Sequence, residues 1–96
     1  MNDLDRLTRD YRAAFLRYLP RRDEAARHSG YELGRSAVAE GISILELVRM
    51  HHQILLEVLR DIRDDDLTDV ATAASEFLAE VLATHDMAQR VLREHG

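Results

Sequence analysis

Ninety-six residues make one domain with a single core, and the absence of cysteine removes disulfides and thiolate metal sites. The formal charge of −5 argues against a nucleic-acid binder, and the basic residues, all of them arginine, cluster nowhere beyond Arg21-Arg22. The opening Met1-Asn2-Asp3-Leu4-Asp5-Arg6 is polar and no apolar run reaches the ~18 residues of a membrane span, so neither signal peptide nor span is expected and a cytoplasmic protein is.

Nothing in the chain reads as a strand, and four helical segments follow one another. In the first, about Asp3 to Leu19, Leu4, Leu7, Tyr11, Ala14, Phe15 and Tyr18 recur three and four apart. Pro20, the only proline, is expected to end it and to sit in the first turn of the next helix. That second segment, about Arg21 to Glu40, is weakest by pattern. Its small residues Ala26, Gly30, Gly34 and Ala37 fall on one ridge, and two glycines inside a helix cost about 1 kcal/mol each relative to alanine. Close approach of another helix is the usual reason for such a ridge.

The junction that follows carries the strongest local signals. Gly41 can take the left-handed conformation that stops a helix. Ser43 is an N-cap with Glu46 three residues on, and Ile42 and Leu47 are spaced as a hydrophobic staple. The third helix then runs to about Arg63. Ile44, Leu47, Val48, Ile54, Leu55, Val58, Leu59 and Ile62 form its stripe, which Leu45, Leu56 and Met50 widen to an arc of roughly 240°, against the ~100° of an ordinary surface helix. A helix apolar over that much of its circumference is central to its fold or covered by a second chain. Asp64-Asp65-Asp66 reads as a solvated loop, with Asp66 or Thr68 capping a fourth helix from about Leu67 to Glu94. Its stripe is Leu67, Val70, Ala74, Phe77, Leu78, Val81, Leu82, His85, Ala88 and Leu92. The pattern continues to the last residues, as in a domain followed by more chain. The fold expected is all-α: a four-helix antiparallel bundle, dimeric.

The residues offer little chemistry. His51 and His85 lie in apolar stripes and read as neutral core histidines, each with one ring nitrogen satisfied by a hydroxyl or a carbonyl. His28 has Glu24 one turn back, a single pair. No second ligand completes a metal site at helical spacing, no serine sits in a nucleophile turn, and no glycine-rich phosphate loop exists. Neither catalytic activity nor a cofactor is expected.

With the helices placed, a family resemblance emerges from the order and spacing of several motifs. Tyr11-x-x-x-Phe15-x-x-Tyr18 opens the chain. Gly34-Arg35-x-Ala37 precedes Gly41-Ile42-Ser43. Leu47-Val48-x-x-His51-x-x-x-Leu55 follows, and then Phe77-Leu78-x-Glu80-x-Leu82-x-x-x-x-Met87-Ala88. Across nearly its whole length the chain resembles the N-terminal domain of RsbU-type serine/threonine phosphatases, a fold shared with the C-terminal domain of the clock protein KaiA. The resemblance implies a non-catalytic regulatory unit that dimerises and binds a switch kinase of the RsbT type. Binding then activates a metal-dependent serine phosphatase domain placed C-terminally, in the partner switching of a stress response. It also implies a partner surface on the second helix and the later part of the bundle, here Glu24, His28, Glu80, Ala83, Thr84 and Met87. Where the family carries an aromatic, this chain has His28.

The self-association surface expected from the over-wide stripe and the small-residue ridge centres on Leu45, Met50 and Leu56 with Gly30 and Gly34. An alternative reading is a dimerisation and phosphotransfer domain of the histidine-kinase kind acting through His52. Such domains carry a His followed by a Lys-Gly pair, where this chain has His52-Gln53-Ile54-Leu55.

Overall fold

A computed structural model describes residues 2–95 and contains four helices: α1 (Asp3–Arg21), α2 (Glu24–Ala39), α3 (Ile44–Arg60) and α4 (Leu67–His95). At 29 residues α4 runs nearly the full 48 Å length of the molecule, and α2 packs along it. Consecutive helices reverse direction. α2 lies closely on both α1 and α4, whereas α3 touches α1 and α4 only lightly.

The core is aromatic where α1 crosses α4. Phe77 meets Tyr11 at 5.4 Å and Phe15 at 5.7 Å, both edge to face, and Tyr18 at 5.4 Å. His51 of α3 completes the cluster, 5.4 Å edge-on to Phe15. Such ring contacts add roughly 0.5–1.5 kcal/mol each beyond the area they bury. Of the two core histidines, His51 is held neutral as expected. Burial pushes the Tyr11 phenol up, its hydroxyl shares a hydrogen bond of 2.8 Å with His51 Nδ1, and burial brings His51 down to about 4. His85 Nε2–H donates to the Ile42 carbonyl at 3.0 Å, tying α4 to the α2–α3 turn.

That turn forms as its residues dictate. The Ile42 N–H bonds Ala37 O at 2.8 Å and the Gly41 N–H bonds Val38 O at 3.1 Å, a Schellman closure with Gly41 at φ +72°. Ser43 accepts from the Glu46 N–H at 3.2 Å, and Ile42 and Leu47 are both buried beside it.

The structure moves three boundaries. Pro20 lies inside the last turn of α1 instead of opening α2. The stop comes two residues later, at Arg22, which adopts the left-handed conformation (φ 49°) and bonds Tyr18 O at 2.8 Å. A non-glycine residue there is uncommon. It is accompanied by a bidentate pair from the Arg22 guanidinium to Glu76 of α4, at 2.9 and 2.8 Å. Asp23 then caps α2 through the Ala26 N–H at 2.9 Å, so α2 begins at Glu24. α3 ends at Arg60, three residues earlier than its periodicity reaches. Asp64–Asp66 forms a turn of 3₁₀ helix, exposed throughout, that runs directly into α4.

The ridge on α2 finds its partner within the chain. A Cβ on Gly34 would lie 2.5 Å from the Val81 carbonyl of α4 and would also collide with the Thr84 hydroxyl. One on Gly30 would lie 3.2 Å from Phe77. Gly30 and Gly34 are therefore the close approach of α2 to α4, not part of an outer surface. Met50 is likewise covered, at 4 % exposure, because its position on α3 faces the core beside Leu47 and Ile54. These three residues leave the expected self-association surface.

Candidate interaction surfaces

Among the described residues, two groups of exposed apolar side chains stand out beside the core. Among the described residues no three His, Asp or Glu side chains cluster to hold a metal ion.

The first surface lies where α4 outruns α2. Tyr31, Arg35, Val38 and Ala39 of α2 and Thr84, Met87, Ala88, Val91 and Leu92 of α4 line an open groove of about 450 Å³. By the register that sets Gly30 against Phe77 and Gly34 against Val81 and Thr84, α2 stops at Ala39 about level with Met87, and Val91 and Leu92 of α4 stay open beyond it. Met87 is 58 % exposed, and Val91 and Leu92 are similarly open. Along the α2 wall, residues one turn apart stack: His28 on Tyr31 at 5.7 Å and nearly parallel, and Arg35 over the same ring at 5.9 Å. The guanidinium thus reaches the groove on an aromatic support, positive above an apolar floor.

The expected partner residues distribute unevenly about this groove. Met87 lines it, and His28 joins it through Tyr31. Ala83 is exposed and Glu80 half-buried against Gly30 on the same stretch of α4. Thr84 borders the groove but is only 5 % exposed, and its hydroxyl donates to the Glu80 and Val81 carbonyls of its own helix. It packs α2 against α4 and offers a partner little. Glu24 is exposed, but it sits at the opposite end of α2, ~15 Å along the axis from Gly34. His28 pairs with Glu32 at 3.4 Å rather than with Glu24. Sequence reasoning missed Tyr31, Arg35, Val38, Val91 and Leu92. The spacing of His28, Tyr31 and Arg35 was visible, but only the relative ends of α2 and α4 make a groove of them.

The second surface is the outer side of α3. Of its wide stripe, Leu47, Met50, His51 and Ile54 go inward, while Leu45 stays 67 % and Leu56 43 % exposed, and Ile44 and Val48 are open as well. The Arg12–Glu57 pair, at 3.0 Å twice over, fastens the opposite edge of α3 to α1 and holds the Glu57 carboxyl below the usual carboxylate range. His52 is exposed within the open stripe.

A buried aromatic core, helix-to-helix ion pairs and open apolar faces define an all-α helical bundle. The chain belongs to the family of the N-terminal domain of the phosphoserine phosphatase RsbU, whose family model matches residues 9–88. The matched unit is the N-terminal domain of that phosphatase. No curated protein and no solved structure matches the chain. No helix of the described residues is long and apolar enough to cross a membrane.

Proposed function

We propose that this domain is a homodimeric regulatory module that binds a switch kinase of the RsbT type. In this reading it passes that binding to a serine phosphatase domain following it in a longer polypeptide, within the partner switching of a stress response in the cytoplasm. The observation that carries the reading is the family match across residues 9–88. The groove between α2 and α4 supports it as the kinase site, because Tyr31, Met87, Val91 and Leu92 supply an apolar floor and Arg35 a positive rim. Apolar anchors ringed by a charge that fixes orientation are the usual makeup of a protein interface.

The outer side of α3 supports the dimer. Ile44, Leu45, Val48 and Leu56 together expose about two whole aliphatic side chains per protomer. Burying each such side chain stabilises by ~1.5–3 kcal/mol, so a pair of protomers gains roughly 6–12 kcal/mol. That is comparable to the ~4–15 kcal/mol cost of association, which makes a weak, reversible dimer the expected result.

The test is titration calorimetry with a candidate switch kinase. Saturable binding that Met87→Asp abolishes, with the variant's helical content unchanged, supports the reading. Absence of binding to any switch kinase encoded with the protein, combined with no phosphatase domain in its full reading frame, ends it.

A further inference from the structure

The groove between α2 and α4 has a helix for each wall. Tyr31, Arg35 and Val38 line it from α2 at intervals of four and three residues, and Met87 and Val91 line it from α4 four apart. Through these residues both walls are unbroken α-helix, so their backbone N–H groups are bonded internally and an extended peptide finds no strand edge to pair with. What the walls offer is a trough between two rows of side chains at helical spacing. The ridge of a third helix fits such a trough.

Arg35 is the one charged residue among those lining the groove. Its guanidinium rests over the Tyr31 ring, which stacks in turn on His28. Glu32, the carboxylate one turn back, pairs with His28 at 3.4 Å, and among the described residues Arg35 has no ion-pair partner. Elsewhere the bundle joins its helices with forked Arg–Glu pairs. Arg12 of α1 holds Glu57 of α3 through two bonds of 3.0 Å, and Arg22 holds Glu76 of α4 at 2.9 and 2.8 Å. Arg35 is the same kind of fork beside an apolar contact surface, without the opposing helix and its carboxylate.

We infer that the groove receives an amphipathic helix of the partner protein, and that a glutamate or aspartate on the flank of that helix takes the Arg35 guanidinium. This rests on the kinase-site reading above and adds the kind of segment the kinase presents there.

The dimensions agree. From Thr84 to Leu92 the α4 wall runs ~12 Å, so two turns of a docked helix cover it, with apolar anchors at one position and three or four and seven residues on. Met87, Val91 and Leu92 are each more than half exposed. A trough that open does not enclose a thin acyl chain, whereas sites for small ligands bury most of the ligand's surface. A helix is broad enough to cover all three side chains at once. The carboxylate then fixes its register, because Arg35 lies at one wall and is held there by its stack on Tyr31.

Two synthetic peptides of about 18 residues, long enough to be helical, test this by amide chemical-shift titration of the 96-residue chain. Both carry leucines at the anchor spacing; one has glutamates on the flanks of that face and the other lysines. The chain carries a formal −5, so unspecific attraction favours the lysine peptide. The expected result is the reverse: the glutamate peptide binds on the order of tenfold more tightly, with shifts confined to the second half of α2 and the last third of α4. Arg35→Glu inverts the preference and Met87→Ser weakens both peptides. Both side chains are exposed, and circular dichroism confirms the helices of each variant. Equal or tighter binding of the lysine peptide, an order unchanged by Arg35→Glu, or shifts outside the groove overturn the proposal. So does decanoate producing the groove shifts where neither peptide does, which assigns the site to an acyl chain. If neither peptide binds but Met87→Asp still abolishes binding of the switch kinase, the helix proposal falls and the kinase site stands. A kinase indifferent to Met87→Asp removes both.

Discussion

Replacing Gly34 by alanine tests the packing of α2 on α4 with the smallest possible perturbation. A methyl group there would sit 2.5 Å from the Val81 carbonyl oxygen, about 1 Å inside ordinary contact, and against the Thr84 hydroxyl as well. The carbonyl belongs to the middle of α4 and cannot swing aside, so the two helices must separate along a contact that includes Gly30, Phe77, Glu80, Val81 and Thr84. Overpacking of this kind costs about 1–3 kcal/mol, and more where backbone is involved. Alanine returns about 1 kcal/mol through helix propensity. The net expectation is a loss of ~2 kcal/mol, which for a domain of this size lowers Tm by roughly 8–16 °C. Gly30→Ala is the internal control. Its methyl would meet only the edge of the Phe77 ring at 3.2 Å, which needs a shift of a few tenths of an ångström. Overpacking and propensity then nearly cancel, and Tm should change by less than about 4 °C. Thermal denaturation followed at 222 nm measures both. A Gly34→Ala protein as stable as the parent, or Gly30→Ala the more damaging of the two, would show that α2 and α4 do not meet as described.

Ser43→Ala removes the side-chain acceptor for the Glu46 N–H and should cost about 1 kcal/mol in urea unfolding with an unchanged m-value. Acid should destabilise the fold before its carboxylates titrate. The folded His51 titrates near 4, below the ordinary value of 6.5, so between these values the unfolded chain binds more protons. Stability is complete above about pH 6.5 and falls as pH decreases, by at most ~2.5 kcal/mol at about pH 4.5. Urea midpoints across that range read this directly, and a flat profile would contradict a buried neutral His51. Arg35→Glu should weaken kinase binding by tenfold or more while leaving Tm unchanged, because the guanidinium rests on Tyr31 at the surface; an unaltered affinity would place the partner elsewhere.

Local residue chemistry settled the helices, the α2–α3 turn and the family. Gly41, Ser43 and Glu46 act through bonds to neighbours within a few residues, and the spacing of Tyr11, Phe15 and Tyr18 already defines a buried face. The breadth of the stripe on α3 likewise announced apolar surface in excess of one core. Whether Leu45, Met50 or Leu56 formed that excess was a matter of how α3 is rotated against α1 and α4. The bundle takes Met50 inward and leaves the two leucines outside. The same holds for the glycines, whose ridge is legible in the chain but whose neighbour, α4 of the same molecule, is not. Pro20 shows the converse: a local stop signal was deferred by two residues, because Arg22 could close the helix while reaching Glu76 on α4. Periodicity fixes which residues share a helix face, since that depends on a repeat of 3.6. What each face meets depends on contacts between segments distant in sequence, and those exist only once the helices are assembled.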